Sequence, residues 1–450
     1  MLALKKHLQV EVNQTLPTIN FQIFNRADLN TVDLTAIDNA ISDERLITFI
    51  SDMVDIASPT GEESELAKYL TQTLRGFGVE AEEQRIGDNQ SNALGLLKGK
   101  TDAPGVLLYA PTDTVTCNSE AEDLPWIADS LRDDMRAEAF YRDGHVYGLG
   151  AHNPKGHGAC ILEAARILSK INPQLDLNIF FGFGAGGMPT NSRKGFPADT
   201  GHGVGCTHMI ENMPSLSSAI IAKSGWSISS EEAGFIWMDV EVKGIHTYVG
   251  SRHLLKYENA IANASKLIIE LENWFEERAE QHTTPLIQPQ AVVSFIESGW
   301  ERMPAFTPAS ARFRVDLRIG PDDSADEAER EFSRKLSELT KRLNVSASCS
   351  RVMTIDASRT PADSEVVTTT VAAWESITQS PHKPFAHMSG ATDANILRQF
   401  GIPTARVGLA KASVPGIDFQ LGMNCVAISD MRDLTKLLIL SALNLGGSNG

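Results

Sequence analysis

Cysteine is scarce in this 450-residue chain: five residues, at 117, 160, 206, 349 and 425, none paired at C-x-x-C spacing. That argues against a disulfide framework or a thiol zinc ribbon, and scattered thiols in odd number suit a reducing, cytoplasmic setting. Long apolar runs are missing as well. No stretch approaches the roughly 18 residues a membrane span needs. The leading MLALKKHLQVEVNQ carries lysines but not the apolar core of a secretory signal. Positive charge is in deficit: 40 Lys and Arg against 57 Asp and Glu leave a net −17. Nucleic acid and anionic membrane surfaces are therefore poor partners, since both select basic patches. Repeats and low-complexity segments are absent.

What is present is a chain of two-domain length with ordinary globular composition. ERLITFISDMVDIA (44–57) has helical apolar spacing. SPTGEESELAKYLTQTLRGFG (58–78) reads as a helix opened by a Thr60–Glu63 capping box and stopped by Gly76 and Gly78. NALGLLKG, GVLLYAP, LNIFFGFG and SAIIAKSG then alternate with helical segments such as HGACILEAARILSKI (157–171). Short apolar strands alternating with helices predict an α/β domain whose sheet is covered on both faces.

From about 233 the order changes to strand (GFIWMDVEVKG), long helix (257–282), two strands (QAVVSFIES, ARFRVDLRI), charged helix (324–343) and strand (NVSASCSRVMTI). This β-α-β-β-α-β order predicts a ferredoxin-like unit over 233–355, inserted into an α/β domain made of 1–232 and 356–450. LTKLLILSALNL, near the end, reads as an amphipathic helix for the core.

LLYAPTDTV (107–115) sets Asp113 just past a buried strand, where α/β folds place ligands and chemistry. GFGAGGM (182–188) follows another strand but fits neither phosphate-binding glycine pattern. Cys117, and Cys160 on a helix, are thiols of the nucleophilic type, although a helical cysteine among apolar neighbours ordinarily packs a core.

Four stretches in order, VDIASPTGEE, LLYAPTDTV, RDGHVYGLGAHNPKGHGACILEA (142–164) and SGATDANILRQFGIPTARVG (389–408), together with the insertion and its YENAI, resemble the co-catalytic-zinc aminoacylase family of metallopeptidases. That family includes acetylornithine deacetylase, succinyl-diaminopimelate desuccinylase and carboxypeptidase G. The resemblance implies a zinc-aminopeptidase-like α/β domain with a mixed central sheet, a ferredoxin-like lid that dimerises, and hydrolysis of an amide by water between two zinc ions.

At the positions where the resemblance implies metal ligands, the residue types are wrong. Pro111 stands for the first His, Asn153 for the bridging Asp, the acid-free GFGAGGM for a pair of glutamates, and Lys223 for the next acid. A residue near Gln420 stands for the last His. Asp113 alone is retained, and proline, asparagine and lysine make no two-zinc site. The expectation is a divergent deacetylase-like enzyme for a small carboxylate-bearing amide or related compound. Its polar centre is Asp113, Asn153 and Lys223, with Lys223 and Asp113 paired as charges. His246 or Tyr248 closes from the lid onto the carbonyl.

The resemblance further assigns the substrate carboxylate to Asn259, Arg318 and Gly390, with Arg252 and His253 nearby. A plainer reading gives Asn259 a helix cap and Arg318 a neighbouring acid. Two alternatives remain open: a non-catalytic protein binding a small carboxylate, and an amidohydrolase whose zinc or other divalent metal has moved to His152, His202, Cys206 and His208, with Asp199 and His157 nearby. The expected assembly is a homodimer through the lid.

Overall fold

Strands form where short apolar runs are closed by glycine or proline, and helices where apolar residues recur every three or four positions. The computed structural model describes residues 34–447, except 172–174, 194–196, 198, 199 and 224. The N-terminal MLALKKHLQVEVNQ and Asp199 lie outside the described residues. The chain opens with α1 (Leu34–Ala40) and α2 (Asp43–Asp55), whose N-cap Ser42 accepts a hydrogen bond from the Arg45 amide at 3.3 Å. Then come α3 (Ser64–Gly76), β1 (Glu80–Arg85), β2 (Ser91–Leu97) and β3 (Ala103–Pro111). They are followed by α4 (Lys155–Ile171), β4 (Leu177–Gly184), α5 (Val204–Glu211) and β5 (Leu216–Ala222).

The second unit runs β6 (Gly234–Lys243), α6 (Ala260–Gln281), β7 (Ala291–Ser298), β8 (Ser310–Ile319), α7 (Ala325–Leu343), β9 (Ala347–Ile355). The chain then returns through α8 (Glu365–Thr378), α9 (Ala394–Gln399), β10 (Thr404–Val407), α10 (Phe419–Asn424) and α11 (Ile428–Gly447).

Two sheets organise these elements. The larger has the order β1-β2-β4-β3-β5-β10. Its β1–β2 and β2–β4 pairs are antiparallel, whereas β4–β3, β3–β5 and β5–β10 are parallel. It is thus the mixed central sheet the sequence predicts. Leu107 and Tyr109 of β3 pack one face against α5 and α9, and α4 and α11 cover the other. LTKLLILSALNL forms part of α11 and is core: Leu434, Leu437, Leu438 and Ile439 are fully buried.

The smaller sheet, β7-β8-β6-β9, is antiparallel throughout. Its apolar face meets Ala264, Leu267 and Leu271 of α6 and Phe332 and Leu336 of α7. No helix among the described residues is long and apolar enough to cross a membrane.

Because β3, β4, β5 and β10 are mutually parallel, their carboxyl ends open at one edge. Thr112–Asp113, the 185–188 loop, Lys223 and Gly408 therefore converge, the place where α/β sheets hold ligands. The closeness is severe: a β-carbon on Gly408 would fall 1.8 Å from the Lys223 carbonyl oxygen.

Candidate functional site

Asp113 is fully buried beyond β3. Its Oδ1 accepts from the Gly187 amide at 2.8 Å, and its Oδ2 from the Met188 amide at 3.0 Å and the Thr60 hydroxyl at 2.7 Å. Thr60 and Glu63 consequently form no capping box. Thr60 points to Asp113, α3 starts only at Ser64, and Glu63 makes no capping hydrogen bond to the helix. Glu63 Oε1 instead accepts from the amides of Gly61 (3.0 Å) and Gly186 (2.9 Å). Burial and then the charge of Asp113 raise the Glu63 pKa to about 8. Its Oε2 has no hydrogen-bond partner.

The two acids clamp the glycine loop after β4. Gly187 lies so close to Pro111 that a β-carbon there would sit 2.5 Å from the proline Cβ and 2.9 Å from Asp393 Oδ2. The space between the two strand ends is thus occupied by backbone.

Lys223, at the end of β5, is buried. Its Nζ lies 3.9 Å from Met188 Sδ. The expected direct pair with Asp113 does not form, because the oxygens of Asp113 are taken by amides and a hydroxyl. Burial lowers the Lys223 pKa below its ordinary value, while the fields of Asp113, Asp393 and Glu232 oppose that.

Asp393, in the SGATD segment, accepts from the Tyr109 hydroxyl at 2.5 Å, and burial raises its pKa to about 7. Glu232 forms a buried ion pair with Arg406 at 2.7 Å and accepts from the Thr392 amide and hydroxyl. Tyr109, Asp393, Glu232 and Arg406 escape notice in the sequence. Asp393 stands in a motif quoted for the resemblance, which is the one signal that marks it.

Asn153 lies just before α4. Its amide group reaches Met423 Sδ at 3.6 Å and its Oδ1 is unpaired. His152 donates from Nε2 to the Ala410 carbonyl at 2.9 Å, since a carbonyl only accepts. His157 accepts from the Leu409 amide at 3.2 Å. Burial holds both imidazoles below the usual pKa.

The other relocated-metal candidates are engaged elsewhere. His202 packs its ring 4.9 Å from Trp237. Cys206 belongs to the apolar core with Tyr109, and His208 sits in the last turn of α5. Among the described residues, no group of three or more His, Cys, Asp or Glu is arranged to hold a metal. Where the resemblance implies ligands the structure presents Pro111, Asn153, Gly186, Gly187 and Lys223 beside Asp113, a donor set that does not fit a zinc pair. Cys117 and Cys160 both have pKa values raised by burial, to about 12 for Cys117.

Asn259 caps α6, its Oδ1 accepting from the Ile261 amide at 3.0 Å. Arg318 puts Nε and Nη2 on Asp316 at 2.7 and 3.1 Å, and Nη1 reaches the Ser389 carbonyl at 3.4 Å. Gly390 follows directly, and a β-carbon there would meet open space. Arg318 and Gly390 are therefore brought together, whereas Asn259 stays at its helix end. His246 donates from Nδ1 to the Thr307 carbonyl at 2.9 Å and stacks on Phe306. Tyr248 leans on the same ring, and Arg252 lies over Tyr257. The hydrogen bonds and ring contacts of these three stay within the second unit.

This fold is found among known peptidases. A dipeptidase of Saccharomyces cerevisiae, Dug1p, matches with a TM-score of 0.70 at 11% identity, over 93% of this chain and 99% of that one. Human carnosine dipeptidase 1 matches at 0.68 and 15% identity, over 93% and 99%. An M20 family metallo-carboxypeptidase of Sulfolobus solfataricus matches at 0.63 and 15% identity, over 89% and 99%. By sequence, a cysteinylglycine-S-conjugate dipeptidase of Corynebacterium striatum is 30% identical over 142 residues, 30% of this chain and 29% of that protein. A LysW-lysine/LysW-ornithine hydrolase of Thermococcus kodakarensis is 39% identical over 75 residues, 17% of this chain and 20% of that protein. The chain therefore matches less than a third of the length of these curated relatives. No family model matches. The chain thus shares its fold with these peptidases over almost its whole length, and shares local sequence with two curated hydrolases.

Proposed function

We propose that this chain is an enzyme that hydrolyses the C–N bond of a small carboxylate-bearing amide without a two-zinc centre. Lys223 carries the reading. A buried amine whose pKa is lowered, with no ion-pair partner among the described residues, stands where the resemblance calls for an acidic ligand. Such an amine gives up its proton far more readily than a solvated lysine, so it can take a proton from water as that water adds to the carbonyl carbon. The same proton then goes to the nitrogen as the C–N bond breaks, leaving a carboxylic acid and an amine, and the acid then gives its proton to the amine or to water. The Gly390 backbone and the charge of Arg318, whose fork is held in place by Asp316, attract and seat the substrate carboxylate. His246 or Tyr248 approaches from the second unit.

The test is a panel of N-acyl amino acids and dipeptides, assayed with and without chelator, beside metal quantification. Turnover should survive chelation with under a tenth of an equivalent of metal bound. Lys223→Met should lower kcat by about 100-fold or more while the melting temperature shows the fold intact. Chelator-sensitive activity restored by zinc would overturn the proposal.

A second reading, a protein that binds such a molecule without turning it over, is favoured by one observation. The 185–188 backbone fills the space against Pro111 that reacting groups would need. Binding without turnover anywhere in the panel would select it. We further propose that the molecule is a homodimer joined through its second unit.

A further inference from the structure

Beside the strand ends lies a cavity of about 380 Å³. A void of about 150 Å³ suffices for benzene, and small-molecule sites begin near about 300 Å³. Trp226, Phe385 and Phe419 form its aromatic walls, with Met388, Met423 and Leu409 between them. The two phenylalanines are 49% and 76% exposed, and with Trp226 and the two methionines they line one concave surface, where grouped apolar side chains mark binding sites. The segment carrying Phe385 is held from below: His382 Nε2 accepts from the Ile228 amide at 2.9 Å. Gly225, at φ +112°, turns the chain directly beneath the Phe385 ring.

Two features set what fits. The cavity adjoins the place given above to the substrate carboxylate, because Met388 lines it and the carbonyl of the next residue, Ser389, meets Arg318. No acid lines it; its titratable members are His152 and Lys411. His152 spends its Nε2 on the Ala410 carbonyl and offers no negative charge. Lys411 is exposed, forms no ion pair among the described residues, and lays its stem across Gly422 on α10. A cationic side group would meet a like charge there and no counter-charge.

We infer that this cavity is the side-group pocket of the substrate, taking an aromatic or large apolar group and rejecting a cationic one. This rests on the carboxylate grip proposed above and names the class of molecule held by it.

The test is calorimetric binding to the full chain of N-acetyl-L-phenylalanine, N-acetylglycine and N-acetyl-L-lysine, measured apart from turnover. The phenylalanine compound should bind roughly 30-fold tighter than the glycine one, the scale for filling an apolar pocket. The lysine compound should gain nothing over glycine. Gly422→Leu should erase the phenylalanine preference while glycine binding stays. Lys411→Glu, an exposed change that leaves folding intact, should raise affinity for the lysine compound several-fold. Equal affinities, absence of all binding, or a lysine affinity unmoved by Lys411→Glu would overturn the inference. Binding with this selectivity but no turnover would overturn the hydrolase reading alone.

Discussion

Glu63, buried at the start of α3 beside Asp113, keeps its proton up to about pH 8. Glu63 reads as half of a capping box, because Thr-x-x-Glu before an apolar run is that motif. Asp113 wins Thr60 instead, and Glu63 is left facing backbone amides and a second acid, with a pKa of about 8. Its folded pKa lies above the unfolded one, about 4.3 for a free glutamate. The stability it contributes is therefore complete below that lower value and is lost as pH rises through about 8. Glu63→Gln keeps an oxygen for the Gly61 and Gly186 amides and carries no titration. The variant should match the wild type at about pH 4 and exceed it in melting temperature at about pH 9. Parallel thermal melts across that range would show no divergence if Glu63 ionises normally. The residue types at the positions where the resemblance implies ligands, Pro111, Asn153 and Lys223, were legible because side-chain chemistry is written in the sequence. Their surroundings were not: the tight contacts of Asp113 come from a loop 74 and 75 positions away.

At the level of elements, alternation and helical periodicity sufficed to place both sheets and most helices. Four parallel strands pointing one way made the site's position almost inevitable. What the pattern could not give is the path of 185–188. Glycines there could mark a ligand cradle or a collapsed loop, and only contact distances decide between them. The contacts favour collapse, with Gly187 seated between Pro111 and Asp393. Gly187→Ala should therefore destabilise the fold by about 1–3 kcal/mol through overpacking. Urea unfolding would register this as a lower midpoint with unchanged slope. A variant as stable as wild type would mean the loop has room to move aside, and that the space it fills is available to a ligand. Asn259 teaches the complementary lesson. Asparagine ahead of a helix is a cap by local rule, and Asn259 does cap α6.

For the molecule as a whole, the open question is what meets β7. This strand is the edge of the smaller sheet, and an apolar edge left unpaired invites association. Val292, Phe295 and Ile296 are each more than 40% exposed along it, and Trp300 and Met303 extend the patch beyond its end. The edge is partly guarded, since Glu272 on α6 accepts the Val293 amide at 2.8 Å and the pairing with β8 shifts register between Val293 and Phe295. A guarded edge carrying a contiguous apolar patch suits one specific partner better than open-ended stacking. A second copy meeting it about a two-fold axis covers both patches at once. The chain should accordingly run as a dimer in light scattering at micromolar concentration. Ile296→Lys should shift it to monomer while circular dichroism stays unchanged, because the side chain already faces solvent in the single chain. Phe295→Asp should do the same. A wild type that is monomeric at these concentrations, or variants that remain dimeric, would place the subunit contact elsewhere or remove it. The proposed carboxylate site belongs to this scale too, since Arg318 from the smaller sheet meets Ser389 from the larger unit. If dimerisation steadies that junction, the monomeric variants should show a raised KM for the panel amides with kcat little changed, and a proportional fall in kcat alone would argue against the link.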